Sequence, residues 1–196
     1  MALLDCSFVQ KLLLALTAWV FAFSLLISPR VSNADETEER AGKIRSALIY
    51  YLVKFVSFPT ASVHSPGPIK ICLFGKDPLN TFISEIVSNK TAQGRPLEVY
   101  LNSESRNFGD LQKCEVDFFG TEIGEQGLAA LKSKSPGILS VCAVEKVSWG
   151  SCMIQIFEEG NKAKLAIDIE LLNAAGLKVS SELLEVSLVR KASAPN

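Results

Sequence analysis

"IKICLFGKDPLN", residues 69–80, decides the fold. An apolar run with the composition of a buried strand meets Gly75, then an Asp-Pro step, then the helical pattern "LNTFISEIVSN" (79–89). Asp77 suits the N-cap position and Pro78 the first helical position, a pairing that helix starts favour. A strand that turns straight into a helix opens an α/β unit. Nucleotide-binding folds hold phosphates at turns of this kind. This chain carries neither GxGxxG nor GK[ST], so turning the chain is enough to account for Gly75 and Asp77.

The same alternation continues on both sides. "RPLEVYLN" (95–102) alternates Leu97, Val99 and Leu101 as a strand, and "EVDFFG" (115–120) is another. "GEQGLAALKSK" (124–134) reads as a helix and "GILSVC" (137–142) as a strand. "EEGN" turns a hairpin between Met153–Phe157 and Lys164–Ile167. "DIELLNAAGLK" (168–178) is a short helix closed by Gly176, and the serines of "SSELLEVSLVRK" (180–191) cap a last one. Upstream, "ETEERAGKIRSALIYYLVKFVSFP" (36–59) is an amphipathic helix with Ala41, Ile44, Leu48, Tyr51, Leu52 and Phe55 on its apolar stripe. Lys43, Ser46, Tyr50 and Lys54 fall mostly off it. These elements predict an α/β fold: a three-layer sandwich with a mainly parallel central sheet, a late antiparallel hairpin, and helices on both faces.

The N-terminus has another purpose. Lys11 precedes an uncharged run from Leu12 to Ile27, and Ser32 and Ala34 supply the small residues a signal peptidase needs. Residues 1–34 are therefore expected to be a cleaved signal peptide and 35–196 a single domain. Cleavage removes Cys6 and leaves Cys72, Cys114, Cys142 and Cys152. Four cysteines in an oxidising compartment predict two disulfides, with three pairings open. Their spacings match no zinc motif, so no metal or other cofactor is expected. A net charge of −1 gives no reason to expect nucleic acid.

No catalytic constellation emerges. A Ser-His-Asp or Cys-His arrangement would have to use His64, which sits in the Pro/Ser/Gly loop "ASVHSPGPIK" (61–70), and GxSxG is absent. Asp110, Glu115, Asp117 and Glu122 show no spacing that separates acid–base work from a solvated face. Asp117 lies inside the apolar strand "VDFF", where it either is buried and paired or faces water at a sheet edge.

Read together, "KIRSALIYYLVKFVSFP", "IKICLFGKDPL", "GRPLEVYL", "LQKCEVDFFG", "GILSVC", "CMIQIF" and "IDIELLNAAGLKVSSELLEVSLV" resemble, in order and spacing, the YfiR family of exported bacterial proteins over about residues 40–190. The resemblance implies a regulator and not an enzyme. It implies a periplasmic, dimeric protein that restrains an inner-membrane diguanylate cyclase through its periplasmic sensor portion, lowering cyclic-di-GMP and biofilm formation. It further implies a Cys72–Cys114 bridge and a redox-sensitive fold. The family's second pair lies near a "GGMI" stretch; here "GSCMI" and "SVC" place Cys152 and Cys142 on or near neighbouring strands, and we expect them to pair. "KFVSFP" departs from the many relatives that carry Trp before the Pro. The apolar stretch "LLNAAGLKVSSELL" (171–184) offers Leu172, Leu177 and Leu183 as candidates for docking the partner. The alternative function is a periplasmic small-molecule sensor serving another membrane signalling partner, which would need a pocket lined by convergent polar groups.

Overall fold

A computed structural model describes residues 33–59, 67–101, 114–132, 136–143, 151–160 and 162–190. Helix α1 (Asn33–Phe55) leads into β1 (Val56–Ser57). Then come β2 (Ile69–Phe74), α2 (Leu79–Val87), β3 (Thr91–Ala92), β4 (Arg95–Leu101), β5 (Val116–Phe119) and α3 (Glu125–Lys132). The chain continues through β6 (Leu139–Cys142), β7 (Ile154–Glu159), β8 (Lys162–Asp168), α4 (Ile169–Ala174), β9 (Lys178–Val179), α5 (Ser181–Glu185) and β10 (Leu188–Arg190).

Eight strands form one sheet in the order β10-β8-β7-β6-β5-β2-β4-β3. The run β4-β2-β5-β6-β7 is parallel, and β7–β8 is the antiparallel hairpin. β4 lies on one side of β2 and β5 on the other, and β6 and β7 continue the sheet away from β2. Right-handed crossovers running in opposite directions put their helices on opposite faces of the sheet. The cores agree. Leu79, Ile83 and Val87 of α2 join Ile71, Leu73, Phe118, Val141 and Ile154 in the larger core cluster. Leu131 of α3 joins Cys72, Phe74, Phe119 and Cys142, their neighbours on the other face, in a smaller one.

The α/β sandwich with its late hairpin is thus as expected, and two local readings are corrected. The buried stripe of α1 is Gly42, Ser46, Ile49, Leu52 and Val53, whereas Ile44 and Tyr51 of the expected stripe are exposed. Small residues are what this contact needs. A Cβ on Gly42 would lie 2.6 Å from Pro78 O and 2.7 Å from the Phe82 ring, and Ser46 Oγ donates to Gly42 O (2.8 Å) and Leu79 O (3.4 Å). Residues 180–191 are not one helix. Ser180 caps α5 through Leu183 N, the helix ends at Glu185, and Leu188–Arg190 pair in parallel with Ala166–Asp168. Strand pairing offered by the outer edge of β8 overrides a local helical pattern.

Candidate functional site

Two places concentrate chemistry. The first is the carboxyl end of β2 and β5, where the order of the parallel strands reverses. Open α/β sheets bind ligands at such a switch point. A cleft of about 510 Å³ lies there, lined among others by Arg45, Lys76, Asp77, Thr121, Glu122 and Glu158. Its lining includes a half-buried ion pair: Arg45 Nη1 donates to the buried Asp77 Oδ2 at 2.9 Å. Asp77 is the cap that the Asp-Pro step predicted, since Leu79 N donates to its Oδ1 (2.9 Å), and Thr121 N also donates to its Oδ2 (3.3 Å). The two loops are tied at the backbone, Lys76 N to Glu122 O (2.9 Å) and Glu122 N to Lys76 O (3.2 Å). Gly75 makes this approach feasible. Its φ is +81° and a Cβ would lie 2.1 Å from Glu122 O. The groups that would cradle a phosphate in a nucleotide-binding fold here hold each other.

The pairing sets one expected result. Asp77→Asn keeps the Oδ1 cap but removes the charge that Arg45 faces. It should cost about 2 kcal/mol, the worth of a hydrogen bond to a charged group. Glu158, 3.7 Å from Arg45 and largely exposed, contributes through a screened contact, so Glu158→Gln should cost under about 0.5 kcal/mol. Urea denaturation of both variants checks the ranking; equal effects would refute it.

The second place is the sheet face that carries the cysteines. Cys72 and Cys114 are bridged, as are Cys142 and Cys152, each with Cα atoms 6.0 Å apart. Strand register brings the pairs to one face: Cys72 lies opposite Asp117, Asp117 opposite Ser140, and Phe119 opposite Cys142. Phe74 and Phe119 stack between the bridges with centroids 5.0 Å apart. Ser140 Oγ accepts from Met153 N at 3.1 Å, which fixes the chain next to Cys152. Cys114 stands just before β5, whose start is held separately. There Lys70 N donates to Glu115 Oε2 (2.9 Å), and Arg95 binds Glu115 Oε1 (2.7 Å), Gly67 O (2.7 Å) and Pro68 O (2.8 Å).

Asp117 sits in this face. Its carboxylate and the sulfurs of Cys72 and Cys114 all lie within 4.8 Å of one another. Burial in this mostly apolar setting pushes its carboxyl up to about 7.

The docking candidates Leu172, Leu177 and Leu183 are 1%, 1% and 4% exposed and belong to the larger core. Packing in that core accounts for them. The exposed large apolar residues include Ile44 and Tyr51 on α1, Val186 at the end of α5, and Leu188 and Val189 on β10. No local signal announces the Arg45–Asp77 pair, whose members are 32 residues apart. His64, Asp110 and residues 1–32 lie outside the described residues. Among the described residues no helix is long and apolar enough to cross a membrane.

The described residues form a doubly wound α/β domain, tied by two disulfides and with its switch-point loops bonded to each other. The YfiR/HmsC-like family matches residues 42–187, and the chain belongs to it. This is a family of periplasmic regulators connected with cyclic-di-GMP signalling. No curated protein matches the sequence.

Proposed function

We propose that this protein is exported by cleavage after Ala34 and, as a homodimer, binds and restrains the periplasmic sensor portion of an inner-membrane diguanylate cyclase. It thereby lowers cyclic-di-GMP and holds back biofilm formation. The observation that carries this reading is family membership across nearly the whole described domain. The two disulfides support it, because they suit an oxidising compartment. The bridges support the binding surface by holding the sheet that underlies it.

The test is made in the source bacterium. Deleting the gene should raise cyclic-di-GMP several-fold, and restoring the full chain should reverse the rise. The exported protein should begin at Asp35 by intact mass. Tagged in the periplasm, it should retain a membrane protein with a cyclase domain. Unchanged cyclic-di-GMP together with no cyclase retained would overturn the reading.

A further inference from the structure

The half-buried carboxyl beside a disulfide is not explained by restraint of a partner. Asp117 occupies the centre of the sheet, with Cys72 opposite it on β2 and Ser140 opposite it on β6. Among the described residues its carboxyl makes no hydrogen bond and no ion pair. An uncompensated acid at such a position costs stability whenever it ionises. Structure alone would be better served there by Asn or Val.

We propose that Asp117 is the proton-exchange group of the Cys72–Cys114 bridge, giving a proton to the sulfur released when a dithiol reduces the bridge and taking it back when the bridge re-forms. The geometry sets the order of events. Cys114 is 6% exposed and Cys72 1%, so a reductant thiolate attacks Cys114 Sγ. A bond forms between the two sulfurs, the Cys72–Cys114 bond breaks, and its electron pair leaves on Cys72 Sγ. That sulfur takes the proton of the Asp117 carboxyl and becomes a thiol. The second thiol of the reductant loses its proton to water and attacks the mixed disulfide. Cys114 leaves, is protonated from water, and the reductant departs as its own disulfide. Asp117 is reprotonated from solvent. The bridge has gained two electrons and two protons, and the dithiol has lost the same.

A thiolate is a poor leaving group in an apolar setting, and a neutral acid within reach of it lowers that barrier. Burial keeps the Asp117 carboxyl protonated up to about pH 7, so the donor is loaded under neutral and mildly acid conditions. The neighbouring groups do not compete. On the same face, Lys70 precedes Cys72 on β2, and Glu98 and Tyr100 lie opposite those two residues on β4. Tyr100 donates to Glu98 (2.6 Å), a bond that raises the phenol pKa and keeps the ring neutral. Glu115, two residues before Asp117 on the β5 side, is paired with Arg95. On α3, Glu125 is exposed. The inference goes beyond the regulator reading, and its test needs no partner.

The test follows reduction of the intact protein by dithiothreitol at several pH values, with acid quench, alkylation and peptide mass spectrometry to score each bridge. Rates are divided by the thiolate concentration. For Cys72–Cys114 the normalised rate should fall about tenfold or more between pH 6 and pH 8, with an inflection near 7, the scale of a lost general acid. Asp117→Asn should flatten that profile and slow the reaction at pH 6. Cys142–Cys152, in the same molecule, should be flat in both proteins, which separates proton donation from general loosening of the fold. A wild-type Cys72–Cys114 profile parallel to that of Cys142–Cys152 overturns the proposal even if the variant does not fold. So does an inflection that survives in Asp117→Asn.

Discussion

Replacing Cys72 and Cys114 together by alanine should lower the stability of the oxidised protein by about 4 kcal/mol while leaving its fold unchanged. The bridge closes a loop with a sequence separation of 42 residues, and loop-closure entropy in the unfolded chain sets that magnitude. The native register does not depend on the bond. Glu115 N donates to Lys70 O (3.1 Å), and the Glu115 carboxylate is held by Lys70 N and Arg95, so β2 and β5 remain aligned without the sulfurs. The same replacement at Cys142 and Cys152, separated by 10 residues, should cost about 3 kcal/mol. For a domain of this size the first loss corresponds to a fall of about 10 °C in Tm. Calorimetry measures it, and far-UV circular dichroism should match wild type below the transition. A loss under about 1 kcal/mol would show that the loop is already constrained in the unfolded state. A changed spectrum would show that the bond sets the register.

Asp117→Asn should gain stability relative to wild type as pH rises to 8, changing the slope of stability against pH. The folded state holds the carboxyl proton up to about pH 7, whereas the unfolded chain releases it near the ordinary value of 3.8. Between those values the native state binds more protons than the unfolded state, so stability falls as pH rises. Below the window both states are protonated and the penalty vanishes; above it both are ionised and the penalty is full. The difference of about three pH units corresponds to about 4 kcal/mol at most. Asn carries no such term. Any cost of its buried amide is independent of pH, so the slope is the readout and not the absolute value. Other carboxylates cancel in the comparison of the two proteins. Urea titrations at pH 4.5, 6 and 8 should show the variant gaining on wild type across the series. Parallel curves would mean that Asp117 is solvated when ionised.

The elements legible in the sequence are those written in local signals. The passage from β2 to α2 is one, because an apolar run, a glycine and an Asp-Pro cap act within a dozen residues. The hairpin of β7 and β8 and the Asp168-capped α4 are others; Leu171 N donates to Asp168 Oδ1 at 2.9 Å. What the sequence hid depends on contacts made at a distance. The stripe of α1 was assigned by apolarity, yet close packing on Pro78 and Phe82 selects Gly42 and Ser46 and turns Tyr51 outward. β10 exists because β8 offers it an edge, which nothing in "EVSLVRK" announces. Of the candidate site, the Cys72–Cys114 pairing came from family resemblance and not from spacing. Asp117 was visible as an acid in an apolar strand, but that it lies against a disulfide is a matter of register. Leu172, Leu177 and Leu183 show the converse, since an apolar stretch near the end of a chain looks the same whether it packs or docks.

In a doubly wound enzyme the two loops beside the switch point move independently and close over a substrate. Here Lys76 and Glu122 exchange two backbone hydrogen bonds, with Gly75 pressed against Glu122 O. The loops are therefore tied to each other at the backbone. Their amides should be protected against solvent exchange together and lose that protection together, which hydrogen exchange would measure. Arg45 of α1 is linked through Asp77 to Thr121 N in the loop after β5. The end of the sheet that serves as a mouth in other doubly wound folds is, in this protein, a joint that bonds the first helix to the loops after β2 and β5.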